Sequence, residues 1–155
     1  QGVRKMSSKL RFVLQDFAYI KVDLVQGKDF WRVTSATKTN MLEKITKHPE
    51  HFAIFSNIAR LLKRLLAGVE PNEALFVDLF DGLCILEKSE NNAELPNIEA
   101  IIVLRILNNL GYIGGGEALQ SLIKSPFEAD LVLAISAHRS KVLSLINKTL
   151  KETHL

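Results

Sequence analysis

The sequence predicts a mainly α-helical protein opened by a single β-hairpin. Three observations carry this. Apolar residues alternate at a period of two between Phe12 and Ala36, then recur at three and four for the rest of the chain. The prolines Pro49, Pro71, Pro96 and Pro126, with Gly68 and Gly111, punctuate the helical part at intervals suited to helices of ordinary length. Finally, the stretch Ile98–Tyr112 is apolar nearly all round, with Ile98, Ile101, Ile102 and Ile106 on one side and Ala100, Val103, Leu104 and Leu107 on the other, which marks a buried helix.

With 155 residues, 47% of them hydrophobic and 24% charged, the chain can build one good core or a core with a small appendage. The sequence shows no apolar leader with a cleavage site and no run of about 20 apolar residues, so no membrane segment is expected. A single cysteine, Cys84, rules out an internal disulfide and any multi-cysteine zinc site, and fits a reducing, cytoplasmic setting. The net charge of +3 conceals an asymmetry. Residues 1–68 hold thirteen Lys and Arg against five Asp and Glu, a balance of +8, whereas residues 69–155 hold seven against twelve, a balance of −5. A basic half beside an acidic half suits a protein that holds a polyanion at one end only; an unevenly charged but inert surface is the other reading.

The opening segment carries Arg4, Lys5, Lys9 and Arg11 with no acid before Asp16, and its Gly2, Ser7 and Ser8 leave it open to phosphate oxygens. Next, Ala18, Ile20, Val22 and Leu24 alternate with Phe17, Tyr19, Lys21 and Asp23, and Trp31, Val33 and Ser35 with Phe30, Arg32 and Thr34. A turn at Gln26-Gly27-Lys28-Asp29 joins the two runs as a hairpin. Two strands are not stable alone, so either they pack on the helices or further strands precede Gln1. Tyr19, Phe30 and Trp31 either fill a small β core or offer faces on which bases stack.

Asn40 and Glu43 form a capping-box-like start for a short helix that stops near His48, ahead of Pro49. A second helix, about residues 50–67, turns Phe52, Phe55, Ile58, Ala59, Leu62, Leu65 and Leu66 inward and Asn57, Arg60, Lys63 and Arg64 outward, making a second basic stripe. Pro71 opens a third, with Leu75, Phe76, Leu79, Phe80, Leu83 and Leu86 apolar and Asp78, Asp81 and Glu87 outside; Cys84 within it reads as a small hydrophobe. Residues 88–94 form a polar loop. The central helix spans Pro96 to Leu110, with proline in the first turn and Gly111 at the left-handed closing position. Ile113-Gly114-Gly115-Gly116 lacks the Lys-Ser or Lys-Thr of a phosphate-binding loop and reads as a connector. A short helix, Glu117–Lys124, precedes a last helical region from Glu128 to about Glu152, broken near His138.

No catalytic constellation emerges. His48 and His51 flank Pro49 without a nearby cysteine, and His138 and His154 have no local group to orient an imidazole. The expectation is a non-enzymatic protein without a cofactor or metal; a hydrolase with a dispersed site would instead require a deep polar cleft.

Gly2-Val3-Arg4-Lys5, Ser8-Lys9-Leu10 and Leu14-Gln15-Asp16-Phe17 resemble the end of the N-terminal OB domain of the bacterial recombination mediator RecO. The stretch Phe76–Leu86, Leu110-Gly111-Tyr112, and the closing Leu150-Lys151-Glu152-Thr153-His154-Leu155 are similar to its helical domain. The resemblance implies that residues 1–38 are the last part of an OB-type barrel whose first strands precede Gln1, and that residues 39–155 are the all-helical domain. It further implies a cytoplasmic, nucleoid-associated DNA-repair and recombination protein. Such a protein binds single- and double-stranded DNA, anneals strands, engages RecR and the acidic tail of the single-strand-binding protein, and helps load the recombinase. Arg4, Lys5, Lys9 and Arg11 then form the DNA-contacting loop, assisted by the Arg60, Lys63 and Arg64 stripe. Two departures stand out: Asp16 replaces the family's proline, and residues 113–124 hold no cysteine where many members bind zinc. The competing expectation is a helical protein-interaction domain that does not touch DNA.

Overall fold

The computed structural model describes residues 9–153 apart from 67, 69, 115 and 116, with the side chains of Lys9, Glu117 and Ala118 left out. Strands β1 (Ile20–Gln26) and β2 (Trp31–Lys38) precede helices α1 (Pro49–Leu65), α2 (Glu73–Lys88), α3 (Leu95–Asn109), α4 (Glu117–Lys124), α5 (Ala129–Ala134) and α6 (Arg139–Glu152). The chain is thus mainly helical with an antiparallel hairpin ahead of the helices. It divides into two compact units, Gln1–Lys47 and His48–Leu155. The division falls after Lys47 rather than after Lys38, because Thr39 returns to Tyr19, its amide and hydroxyl both donating to the Tyr19 carbonyl at 3.2 and 3.0 Å.

In the first unit β1 and β2 pair from Ile20↔Lys38 to Gln26↔Trp31 with an irregularity beside Asp23 and Leu24. Asp23 pairs with Ser35 and Leu24 with Val33, so Thr34 is an extra residue, and its hydroxyl donates to the Asp23 carbonyl at 3.1 Å. The strict alternation expected of this strand therefore fails at one place: Ser35 joins Asp23 on the polar face, to whose carboxylate it donates, and Ala36 shares the apolar face with Val33. That face does not form a filled core. Trp31 is 58% exposed and Phe30, just ahead of β2, 60%.

The short helix expected from Asn40 does not form. Leu42 adopts a left-handed backbone, φ 62°, which no helix interior tolerates. Instead of returning to a helix start, Glu43 pairs with Lys38 at 2.8 Å, and only a 3-10 turn, Ile45–Lys47, follows. The Lys38 hydrogen bond, with its charge, holds the Glu43 carboxyl below the usual range.

In the second unit α3 is the axis. Nine of its residues are buried, among them Ile98, Ile101, Ile102, Leu104 and Leu107, and α1, α2, α4, α5 and α6 all pack on it. It ends in a Schellman motif: Gly111 (φ 77°) donates to the Asn108 carbonyl at 3.0 Å and Tyr112 to that of Leu107 at 2.9 Å. Helix α2 begins after Asn72, whose side chain accepts from the Leu75 amide at 2.9 Å, so Pro71 lies outside it. Asp78 turns inward rather than joining the acidic outer side. The last helical region breaks into α5, a 3-10 turn (Ile135–Ala137) and α6. Among the described residues no helix is long and apolar enough to cross a membrane.

Candidate functional site

Helix α1 places the site. Its buried stripe runs through His51, Ile54, Ile58 and Leu65, whereas Ala59 and Leu66 face solvent, so the helix is rotated from the inward side that its apolar residues alone suggest. His51 explains the rotation: its ring is buried and Nε2 donates to the Ser89 carbonyl at 3.0 Å, pulling that edge inward. With that turn, Asn57, Arg60, Leu61 and Arg64 face a groove bounded by α1, α3 and α6.

The groove encloses about 480 Å³. Its floor is apolar, made by Leu61 of α1, Ala100 and Val103 of α3, and Leu143, Ile146 and Leu150 of α6. The rim carries Arg60, Arg64 and, from the first turn of α6, Arg139. Arg60 is oriented by its own helix, donating from Nη2 to Asn57 Oδ1 at 2.5 Å and from Nε to the Ser56 carbonyl at 3.4 Å. Asn57 in turn donates to Glu99 Oε1 at 3.0 Å, tying the α1 wall to α3. Among the described residues none of the three rim arginines stands in an ion pair. Their positive field therefore faces the groove uncompensated except by Glu99, and the first turns of α3 and α6, both at this wall, add the partial positive charge of helix N-termini.

Such a surface can hold carboxylates in forked hydrogen bonds at the rim and take an apolar side chain on the floor. It carries no histidine and no nucleophile. Elsewhere in the unit, burial pushes the Cys84 thiol up, away from the reactive thiolate. His48 and His51 approach to 5.2 Å between ring centroids, and no group of three or more His, Cys, Asp or Glu among the described residues is placed to hold a metal ion.

The described residues expected to bind DNA fall in both units. Arg60 and Arg64 come together on the groove, while Lys63 is exposed but outside its lining. Arg11 is exposed in a 3-10 turn, Lys9–Phe12, of the first unit, and Lys9 belongs to the same turn. Arg4 and Lys5 lie outside the described residues. Arg139 was not legible as a site residue, because it stands between His138 and Ser140 with its partners in the groove on distant helices; only the three-dimensional packing assembles the cluster. No known protein family, curated protein or solved structure matches the chain.

Proposed function

We propose that the chain is a non-enzymatic mediator of DNA repair and recombination of the RecO type, and that its helical unit docks an acidic partner peptide in the arginine-rimmed groove. The observation that carries this reading is the meeting of Arg60, Arg64 and Arg139 around an apolar floor. A duplex or single strand presents phosphates along a line and calls for a basic track, whereas an open groove with an apolar bottom and a basic rim suits a peptide that combines carboxylates with an apolar side chain. The acidic tail of the single-strand-binding protein, which the resemblance names as a partner, supplies the carboxylates. DNA contact falls to the basic opening segment, with the hairpin read as the closing strands of an OB-type barrel and its exposed Trp31 and Phe30 as stacking faces. Annealing of strands, engagement of RecR, help in loading the recombinase, and a cytoplasmic, nucleoid-associated location complete this reading.

A fluorescent Asp-rich peptide ending in an apolar residue tests it. Binding followed by anisotropy is expected to be saturable and salt-sensitive, and Arg60→Ala/Arg64→Ala should weaken it by roughly one to two orders of magnitude, since two charge-assisted contacts at a partly exposed rim are lost. Equal affinity in the variant would remove the groove from the reading. The second reading, an interaction domain that does not touch DNA, draws on the same groove. It predicts peptide binding without salt-dependent retention of the protein on an immobilised oligonucleotide.

A further inference from the structure

The buried histidine of α1 has a nitrogen left over. His51 is 5% exposed, and its Nε2 donates to the Ser89 carbonyl at 3.0 Å. A carbonyl only accepts, so the proton of the neutral ring sits on Nε2 and Nδ1 carries a bare lone pair. That atom is buried and meets no hydrogen-bond donor among the described residues. Buried polar atoms are rarely left so, and one that is calls for an explanation. A histidine that donates from one nitrogen to a backbone carbonyl, with the other nitrogen unprotonated, is held in the tautomer and orientation of a metal ligand.

A second imidazole stands beside it. His48 precedes the first turn of α1 with an extended backbone, and its side chain makes no cap hydrogen bond. Its residue is exposed, and its ring lies 5.2 Å from that of His51 between centroids, tilted by 50°. Two imidazoles bound to one ion at about 2.0–2.1 Å, with a tetrahedral angle between them, put their ring centres about 5 Å apart. Pro49 stands between the two with its fixed φ, so both rings hang from one short, stiff stretch of chain. The positive end of α1 opposes a cation here, and Glu50, in the same first turn, supplies a carboxylate that offsets it. We infer that His48 and His51 chelate a divalent transition-metal ion, Zn²⁺ or Cu²⁺, through His51 Nδ1 and a ring nitrogen of His48.

The donor set selects the class of ion. Neutral imidazole nitrogens suit zinc, copper and nickel, whereas magnesium and calcium want oxygen. Among the described residues no third His, Cys, Asp or Glu is placed to join the pair, so the remaining coordination positions fall to water or to a group from outside. Such an open site holds its ion less firmly than a closed structural zinc centre, with copper the tightest of the three. The ion would staple His48, where the second unit begins, to a ring already anchored on Ser89 at the end of α2. It is independent of the arginine-rimmed groove.

Calorimetric titration of the whole chain with zinc chloride, and electron paramagnetic resonance of the chain loaded with Cu²⁺, test it. The wild type is expected to take one equivalent of zinc, and its copper spectrum to show nitrogen from two imidazoles. His51→Gln keeps an amide that can donate to Ser89 but loses the lone pair, and His48→Ala removes an exposed ring. Each should bind zinc at least about tenfold more weakly, the loss that even a group behind a metal ligand brings, and should lose one imidazole from the copper spectrum. Circular dichroism checks that both fold; should His51→Gln fail to, the exposed His48→Ala decides alone. His138→Ala/His154→Ala removes the other two of the four histidines and should keep the wild-type stoichiometry and affinity. Zinc should also raise the melting temperature of the wild type more than that of His48→Ala. A wild type that takes up no zinc, a folded single variant that binds like the wild type, or loss of the site in His138→Ala/His154→Ala overturns the inference.

Discussion

Arg105 is 3% exposed in the most buried helix of the described residues, and all three of its guanidinium nitrogens donate hydrogen bonds. Nη1 donates to Asp78 Oδ1 at 2.8 Å, Nε to the Leu122 carbonyl at 3.1 Å and Nη2 to the Ser125 carbonyl, while the guanidinium lies 4.9 Å from the Phe127 ring centre. Asn109 donates to the other Asp78 oxygen at 2.7 Å. The guanidinium thereby satisfies carbonyls at the end of α4 and ties α2, α3 and α4 together. The sequence displays Arg105 as an interruption of a greasy helix but not its partner, since Asp78 is 27 residues away and looks, by periodicity, like one more outward carboxylate. Removing the countercharge should cost more than removing the cation. Asp78→Ala leaves a buried guanidinium uncompensated and is expected to lose about 3–5 kcal/mol, whereas Arg105→Met leaves a carboxylate whose side chain is already 25% exposed and should lose less. Urea denaturation of the two variants checks the order. Cys84 gives a second measurement at this scale. Burial first, then Glu87 and Asp81, raise its pKa against the opposing Lys88 charge. A thiol with a raised folded pKa stays protonated to higher pH than an unfolded one, so iodoacetamide labelling should reach half its maximal rate at a higher pH in the native protein than in urea. Coincident profiles would contradict the burial argument.

Among the elements, α2 and α3 meet most intimately at Gly82. A Cβ built there would lie 2.6 Å from Ile102 Cγ1 and 3.1 Å from Phe127 Cε2. Alanine would gain about 1 kcal/mol of helix propensity over glycine, but overpacking typically costs about 1–3 kcal/mol, and Ile102, 1% exposed, has nowhere to move. Gly82→Ala is therefore expected to destabilise by on the order of 1 kcal/mol. Ile102→Ala alone should cost about 2–5 kcal/mol through its cavity. The double variant should cost less than the two together, because each change relieves the other. Additive losses in chemical denaturation would show that the helices can slide apart. How much of these elements the residues disclose depends on whether the signal is local. The central helix is legible because its apolarity is continuous and Gly111 ends it by backbone geometry, and the hairpin because its period is two. The bulge at Thr34 and the left-handed Leu42 are not: a bulge is one residue of register, and the Asn40–Glu43 pattern that suggests a helix start is diverted by the Lys38 ion pair. Gly82 itself looks like an ordinary helix glycine until Ile102 is placed opposite it.

For the whole molecule the legible feature is charge, +8 over residues 1–68 against −5 over residues 69–155. Counts alone do not show that Arg60 and Arg64 join Arg139 on a groove while Lys63 stays apart, because a groove is a property of three helices. This separates two roles that a single basic stripe would merge, and the separation is measurable. If phosphate contact is carried by the opening segment, Arg4→Ala/Lys5→Ala/Lys9→Ala/Arg11→Ala should bind both single- and double-stranded oligonucleotides weakly. Each lost contact should lower the slope of log affinity against log salt by about 0.7–0.9, without changing sequence preference. That variant should keep its affinity for the Asp-rich peptide. Arg60→Ala/Arg64→Ala should do the reverse, losing the peptide while moving the DNA slope by less than its two charges would if both touched phosphate. Anisotropy with labelled oligonucleotides at several salt concentrations reads both slopes. An unchanged affinity and salt slope in the first variant and a loss of two full contacts in the second would move DNA binding onto the helical unit and leave the opening segment without a role in it.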